Sequence, residues 1–132
     1  MKDSLQPGIE LTREFLTTAA MGVPHLGASG GVLSTPAMIG MMEMASSQAI
    51  RPALPPGSIT VGVRIEVDHL RAVPVGTTVV AVSTLVEING RRLIFEVEAR
   101  SGTDVIGRGR VFHTIVEHSR FAANATAKPT SR

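Results

Sequence analysis

The sequence predicts an α+β fold in which one long helix packs against an antiparallel sheet. Residues 34–50 combine a helix start, an apolar stripe at helical spacing and a proline stop. From Ser58 onward apolar and polar residues alternate, and four such segments follow one another with short turns between them. Strands joined by short turns pair antiparallel, so these segments predict a meander on which the helix can pack.

The helix has clear signals at both ends. Ser34 or Thr35 can cap its N-terminus, and Pro36 suits the first turn because the missing N–H has no partner there. Pro52 closes the helix. A glycine-rich loop precedes it.

The remaining elements follow from the alternation and the turn residues. An edge strand is expected before the glycine-rich loop, and four strands after the helix, with Asn89-Gly90 as a tight hairpin turn. The expected strands cover about residues 9–18, 58–69, 77–88, 91–100 and 105–116. Residues 1–120 are expected to form a single domain, and residues 121–132 a flexible C-terminal tail.

The composition is that of an ordinary globular domain and argues against several function classes. Of the 132 residues, 43% are apolar and 18% charged. Four phenylalanines and no tyrosine or tryptophan give few platforms for stacking nucleic-acid bases, and a net charge of +2 gives no basic groove. The absence of cysteine excludes disulfides and thiolate sites. We expect a cytoplasmic protein that binds neither nucleic acid nor membrane.

Glu43 is the one carboxylate within the predicted helix. On a helical wheel it lies apart from the apolar stripe, on a stripe of mostly small residues. The apolar stripe comprises Met38, Met41, Met42, Ala45 and Ala49, and the second stripe Pro36, Gly40, Glu43, Ser46, Ser47 and Ile50. Small side chains allow a ligand or a second subunit to approach closely. The alternative, an acid that simply points into water, stays open here.

His69 is a second polar residue at an apolar position. Counting by twos from Ile59, the inward row of the strand at 58–69 ends at His69, so the imidazole points toward the helix unless a bulge intervenes. The outward row is then Ser58, Thr60, Arg64, Glu66 and Asp68. A lone buried histidine is more often structural. An acid on the helix and a base on the strand beneath it can, however, share one catalytic site.

Three segments resemble those of a known family. They are TPAMIGMME at 35–43, GVRIEVDH at 62–69 and NGRRL at 89–93. With the order of elements, they resemble the hotdog fold, in which a sheet wraps a central helix and paired subunits form acyl-CoA sites. Within that superfamily the chain is similar to the fluoroacetyl-CoA thioesterase group, over most of residues 9–121.

The resemblance implies an acyl-CoA thioesterase, a hydrolase, with Thr35, Glu43 and His69 as its catalytic set. Glu43 would activate a water as general base or attack the thioester directly, His69 would assist proton transfer, and Thr35 would position a group by hydrogen bonding. Thr35 could instead serve only as the helix cap. No metal or separate cofactor is implied, since coenzyme A enters as part of the substrate.

The resemblance also implies a substrate pocket formed by Gly62, beside the acyl group, and by Leu26, Met42 and His113. Leu26 and Ser29 stand near the places where fluoroacetyl-specific members have phenylalanines. His113 stands near that of their fluorine-recognising arginine, although a purely structural role for His113 is equally open. We therefore expect a different acyl group.

Other residues and functions remain alternatives. Arg108 with Arg110, or Arg91 with Arg92, could bind the phosphates of coenzyme A or could be solvated surface charges. His25 could reach substrate or lie in solvent. A non-catalytic acyl-CoA-binding or regulatory module would have the same groove without turnover, and a hydratase or dehydratase is less favoured because the helix has no histidine. In each case we expect a homodimer or a tetramer built from dimers.

Overall fold

The computed structural model describes residues 4–23 and 31–126, and within them five strands form one antiparallel sheet. The strands are β1 (Glu10–Leu16), β2 (Ser58–His69), β3 (Thr78–Asn89), β4 (Arg92–Ser101) and β5 (Asp104–Glu117). The helices are α1 (Thr35–Ile50) and α2 (His118–Thr126). The α+β prediction is confirmed, and every predicted strand is present with its ends within two residues of the expected ones.

The sheet has the order β1-β3-β4-β5-β2, so β1 and β2 are its two edges. The β3–β4–β5 meander is joined by two-residue turns that begin with Gly90 (φ 64°) and Gly102 (φ 61°). A left-handed glycine at the first turn position matches the twist of the flanking strands. The first hairpin turn is therefore Gly90-Arg91, since Asn89 still pairs with Arg92.

A β-bulge in β2 changes which side chains face α1. Gly62 pairs with His113 and Arg64 pairs with Phe112, so Val63 is the extra residue. Before the bulge, Thr60 shares the inner face with Gly62, which corrects the predicted outward position of Thr60. After the bulge, Ile65, Val67 and His69 take the inner face, as predicted for His69.

The core lies between α1 and the inner face of the sheet. The predicted apolar stripe of α1 is buried, and Met42 is fully so. Ser46 and Ile50, which the helical wheel assigned to the small-residue stripe, are also fully buried. The Ser46 hydroxyl lies 2.8 Å from the Met42 carbonyl, to which it can donate, and 2.7 Å from the Ser83 hydroxyl. Because these contacts satisfy the Ser46 hydroxyl, the free-energy cost of burying this polar residue is small.

The chain continues as α2 where a flexible tail was expected to begin. α2 packs against β5 and leaves Phe121 41% exposed. Residues 127–132 lie outside the described part of the chain. Neither α1 nor α2 is long and apolar enough to cross a bilayer.

Candidate active site

The start of α1 brings Thr35 to His69. Ser34 is the N-cap, and its side chain accepts a hydrogen bond from the Ala37 N–H at 3.2 Å. The cap is thus supplied by the neighbouring serine, and Thr35 Oγ1 lies 2.7 Å from His69 Nδ1 instead. Thr35 and His69 form one hydrogen-bonded pair between the helix start and the end of β2.

Glu43, two turns further along α1, reaches the middle of β2 and β5. Its side chain is 27% exposed, and Oε1 lies 3.1 Å from His113 Nε2. The carboxyl group also lies directly above Gly62, because a Cβ built on Gly62 would stand 2.5 Å from Oε1 and 3.2 Å from the carboxyl carbon. Only glycine leaves this space, so Gly62 and Glu43 are neighbours.

His113 is held on several sides. Its side chain is 1% exposed, and its ring packs edge-on against Phe95 with the ring centres 5.1 Å apart. Nδ1 lies 3.0 Å from Thr60 Oγ1. His113 therefore bridges a hydroxyl on β2 and the carboxylate of α1. Sequence reasoning missed Thr60 because the bulge at Val63 reverses the alternation between Thr60 and His69.

The buried side-chain nitrogen and oxygen atoms that have no hydrogen-bond partner within residues 4–23 and 31–126 belong to this region. They are Glu43 Oε2, His69 Nε2 and His113 Nε2. His113 Nε2 is within 3.1 Å of the Glu43 carboxylate, but the direction of its N–H is poorly aligned with the oxygen, so the contact is a close approach of unlike groups rather than a formed hydrogen bond. Native proteins rarely leave buried polar atoms unpaired outside functional sites.

In one chain the three predicted catalytic residues belong to two separate contacts, Thr35 with His69 and Glu43 with His113. Thr35 and Glu43 are eight residues apart on α1, which corresponds to about 12 Å along the helix axis. The Thr35–His69 pair lies at one end of that interval and the Glu43–His113 pair at the other. The Glu43 carboxylate and the His69 imidazole thus both lie between α1 and the sheet but belong to different contacts.

The other predicted substrate residues are distributed differently. Met42 is buried in the core beneath α1. Leu26, and with it His25 and Ser29, lies outside the described residues. Within the described residues, no group of three or more His, Asp or Glu side chains converges as metal ligands.

The arginines proposed for phosphate binding fall into two environments. Arg110 lies on the outer face of the sheet, where it and Arg64 contact Glu66 at 3.1 Å and 2.5 Å. The hydrogen bond from Arg64, with a further one from Arg110, holds the pKa of Glu66 below its ordinary value. Arg91 instead lines a cavity of about 390 Å³ next to α2, together with Arg120.

Known proteins resemble this chain over nearly its whole length. Residues 15–119 match the family described as FlK, fluoroacetyl-CoA-specific thioesterase. The fluoroacetyl-CoA thioesterase of Streptantibioticus cattleyicolor is 33% identical over 135 aligned residues, which cover 97% of this chain and 97% of that protein.

Solved structures agree with this likeness. The fluoroacetyl-CoA thioesterase FlK superposes with a TM-score of 0.86 at 32% identity, covering 97% of this chain and 100% of that one. A hot-dog-like protein from Thermanaerovibrio acidaminovorans superposes with a TM-score of 0.83 at 20% identity, covering 96% and 94%. The hotdog fold is therefore confirmed. Since both the family match and the full-length relative agree, the chain belongs to the fluoroacetyl-CoA-specific thioesterase family.

Proposed function

We propose that this protein hydrolyses an acyl-CoA thioester to a carboxylic acid and coenzyme A, with Thr35, Glu43 and His69 as its catalytic residues. The observation that carries the proposal is the set of unpaired buried polar atoms, of which two belong to Glu43 and His69. Atoms that cost free energy while unpaired are suited to bind a reacting group. The full-length relative named a fluoroacetyl-CoA thioesterase supports the same reaction class.

Glu43 reacts through Oε2 in either of two routes. As a general base, Oε2 takes a proton from water while the water oxygen attacks the thioester carbonyl, and the C–S bond breaks to release coenzyme A as a thiolate that is then protonated. As a nucleophile, Oε2 attacks the carbonyl itself and the C–S bond breaks to release the same thiolate; water then hydrolyses the resulting anhydride to the carboxylic acid and the free Glu43 carboxylate. His69, oriented through Nδ1 by Thr35, has Nε2 free to exchange a proton.

A second chain completes the site. β2 is an edge strand whose unpaired backbone can accept another strand, and it exposes Val63 (48%), Ile65 (40%) and the adjacent Leu70 (54%). Antiparallel pairing of two β2 strands would place the His69 end of one strand beside the half of the other strand that carries Gly62. Glu43 of one chain then faces the Thr35–His69 pair of the second chain. Within a single chain that pair lies about 12 Å from Glu43 along the helix axis, the length of eight helical residues.

The substrate enters with its nucleotide toward α2. The cavity beside Arg91 and Arg120 also presents Phe121 and Asn124, which together suit a phosphorylated adenine nucleotide. Glu66 already neutralises Arg110, and Glu117, which also lines the cavity, lies 3.4 Å from Arg120. Of the arginines that the sequence suggested for the phosphates of coenzyme A, Arg91 is therefore favoured over Arg110.

The function is tested with a panel of acyl-CoA thioesters in a thiol-release assay. Glu43→Gln and His69→Ala are each expected to lower kcat at least about 100-fold, the usual effect of losing a general acid or base. Glu87→Gln is the matched control for the carboxylate, since Glu87 is an exposed residue of β3. Binding of acyl-CoA without turnover by the wild type would instead establish the non-catalytic module.

The shared site is tested by mixing inactive chains. If Glu43 and His69 meet across a dimer, refolding Glu43→Gln with His69→Ala restores one intact site per mixed dimer and about a quarter of wild-type activity. Mixing Thr35→Ala with His69→Ala restores nothing, because both residues come from the same chain. Lack of recovery in the first mixture would show that each chain carries its own complete site. Light scattering of Ile65→Asp checks that β2 forms the dimer contact.

A further inference from the structure

We propose that His113 and Thr60 are positioning residues for Glu43, which hold its Oε1 and leave Oε2 as the reacting atom. This inference rests on the proposed hydrolase function. It gives His113 a different role from the pocket-lining one that the sequence suggested, and it assigns a role to Thr60, which sequence reasoning placed on the opposite face of the sheet.

His113 is enclosed by its neighbours in the sheet. The residue pairs with Gly62 on one side and Leu93 on the other, and its ring is packed on Phe95. At 1% exposure the ring has almost no contact with solvent. A ring so enclosed can act on substrate only through its polar neighbours, and these are Thr60 and Glu43.

The two contacts of the His113 ring indicate which nitrogen carries the proton. A carboxylate can only accept, so a ring nitrogen 3.1 Å from Glu43 Oε1 must carry a proton for the contact to be favourable. The carboxylate therefore favours the tautomer with the proton on Nε2, and the Thr60 hydroxyl, 3.0 Å from Nδ1, can donate to that nitrogen. Thr60 thus supports the tautomer that can donate toward Glu43.

The two oxygens of the Glu43 carboxyl group have different surroundings. Gly62 lies under it and His113 Nε2 lies at Oε1, whereas Oε2 is buried and has no hydrogen-bond partner among the described residues. The two oxygens are therefore inequivalent. The N–H of His113 is imperfectly aligned in the unliganded chain, as is common for catalytic hydrogen bonds that tighten when substrate binds.

Matched substitutions separate positioning from packing. His113→Leu keeps the volume but removes the donor, and we expect kcat to fall about 30- to 100-fold with KM changed less than about threefold. His113→Gln returns an N–H near the position of Nε2 and is expected to recover most of this loss. Thr60→Val is expected to lower kcat about five- to tenfold, and Thr60→Ser to remain near wild type.

Ser83→Ala is the control for a general core effect. It removes a buried hydrogen bond beneath the same helix, to Ser46, without touching Glu43. We expect lower thermal stability and unchanged kcat. Equal kcat for His113→Leu and wild type, or a loss in Ser83→Ala as large as that in Thr60→Val, would overturn the proposal.

A second readout is independent of turnover. The ¹⁵N chemical shifts of the His113 ring report which nitrogen carries the proton, and we expect protonated Nε2 in the wild type. A bare Nε2 would overturn the proposal even if the enzyme is active. If no acyl-CoA is hydrolysed, the proposed function fails while this measurement still decides whether His113 can donate to Glu43.

Discussion

Gly62→Ala is the substitution whose effect follows most directly from the structure. The added methyl would stand 2.5 Å from Glu43 Oε1, 3.2 Å from the carboxyl carbon and 3.3 Å from Oε2. Ordinary contact begins near 3.4 Å, so the carboxyl group must move by about 0.9 Å. Gly62 has no positive φ, and the obstructing atoms end a flexible side chain, so the backbone can remain as it is.

A displacement of this size matters for catalysis more than for folding. Misplacing a catalytic group by about 1 Å can cost about 100-fold in rate, equivalent to about 2.7 kcal/mol of transition-state stabilisation. We therefore expect Gly62→Ala to lower kcat for the best acyl-CoA about 100-fold while the melting temperature changes by only a few degrees.

The matched control is Gly40→Ala, the same chemical change on the exposed face of α1. A Cβ on Gly40 meets nothing within 4 Å, and alanine favours a helix by about 1 kcal/mol over glycine. We expect unchanged kcat and slightly higher stability. Near-normal kcat in a folded Gly62→Ala protein would refute the idea that the Glu43 carboxyl position limits the rate.

Three further predictions concern other parts of the molecule. Removing the hydroxyl in Ser83→Ala leaves Ser46 with one partner fewer in the core, and chemical denaturation should show a loss of about 1–3 kcal/mol. The pKa of Glu66 is lowered in the folded chain, so the ionised carboxylate stabilises the fold above the unfolded pKa near 4.5, and this stabilisation is lost as pH falls through the lower folded pKa. NMR titration of Glu66 should give a midpoint below 4.5, and Arg64→Gln should raise that midpoint. Arg91→Ala should raise KM for an acyl-CoA about tenfold but leave KM for the matching acyl-pantetheine unchanged, since only the former carries the nucleotide; equal effects on both would contradict a nucleotide site there.

The fold could be predicted from the sequence because its signals are local. Alternation in the strands, glycines at the hairpin turns and Ser34 before Pro36 each act within a few residues, and the resulting elements agree with the structure. The α2 helix was missed because its composition resembles that of a tail and it buries no residue fully. Its packing against β5 is not visible in the local pattern.

The candidate site could be predicted only in part, because its contacts depend on the bulge in β2. Counting by twos placed His69 correctly, but it misplaced Thr60, since one extra residue separates the two. The approach of His113 to Glu43 joins α1 to β5 across 70 residues of chain. No local pattern encodes such a distance, although an isolated polar residue on an inward strand face was a usable signal for both histidines.

The extra residue in β2 also affects how the substrate range of this protein can be altered. Val63 pairs with no residue of β5, and deleting it would leave Gly62 opposite His113 and Arg64 opposite Phe112, so His69 would still face Thr35. Changes of length after the bulge have a different effect. Inserting one residue between Arg64 and Asp68 would turn Asp68 instead of His69 toward Thr35, which is a reason to keep the length of this segment fixed in any redesigned variant.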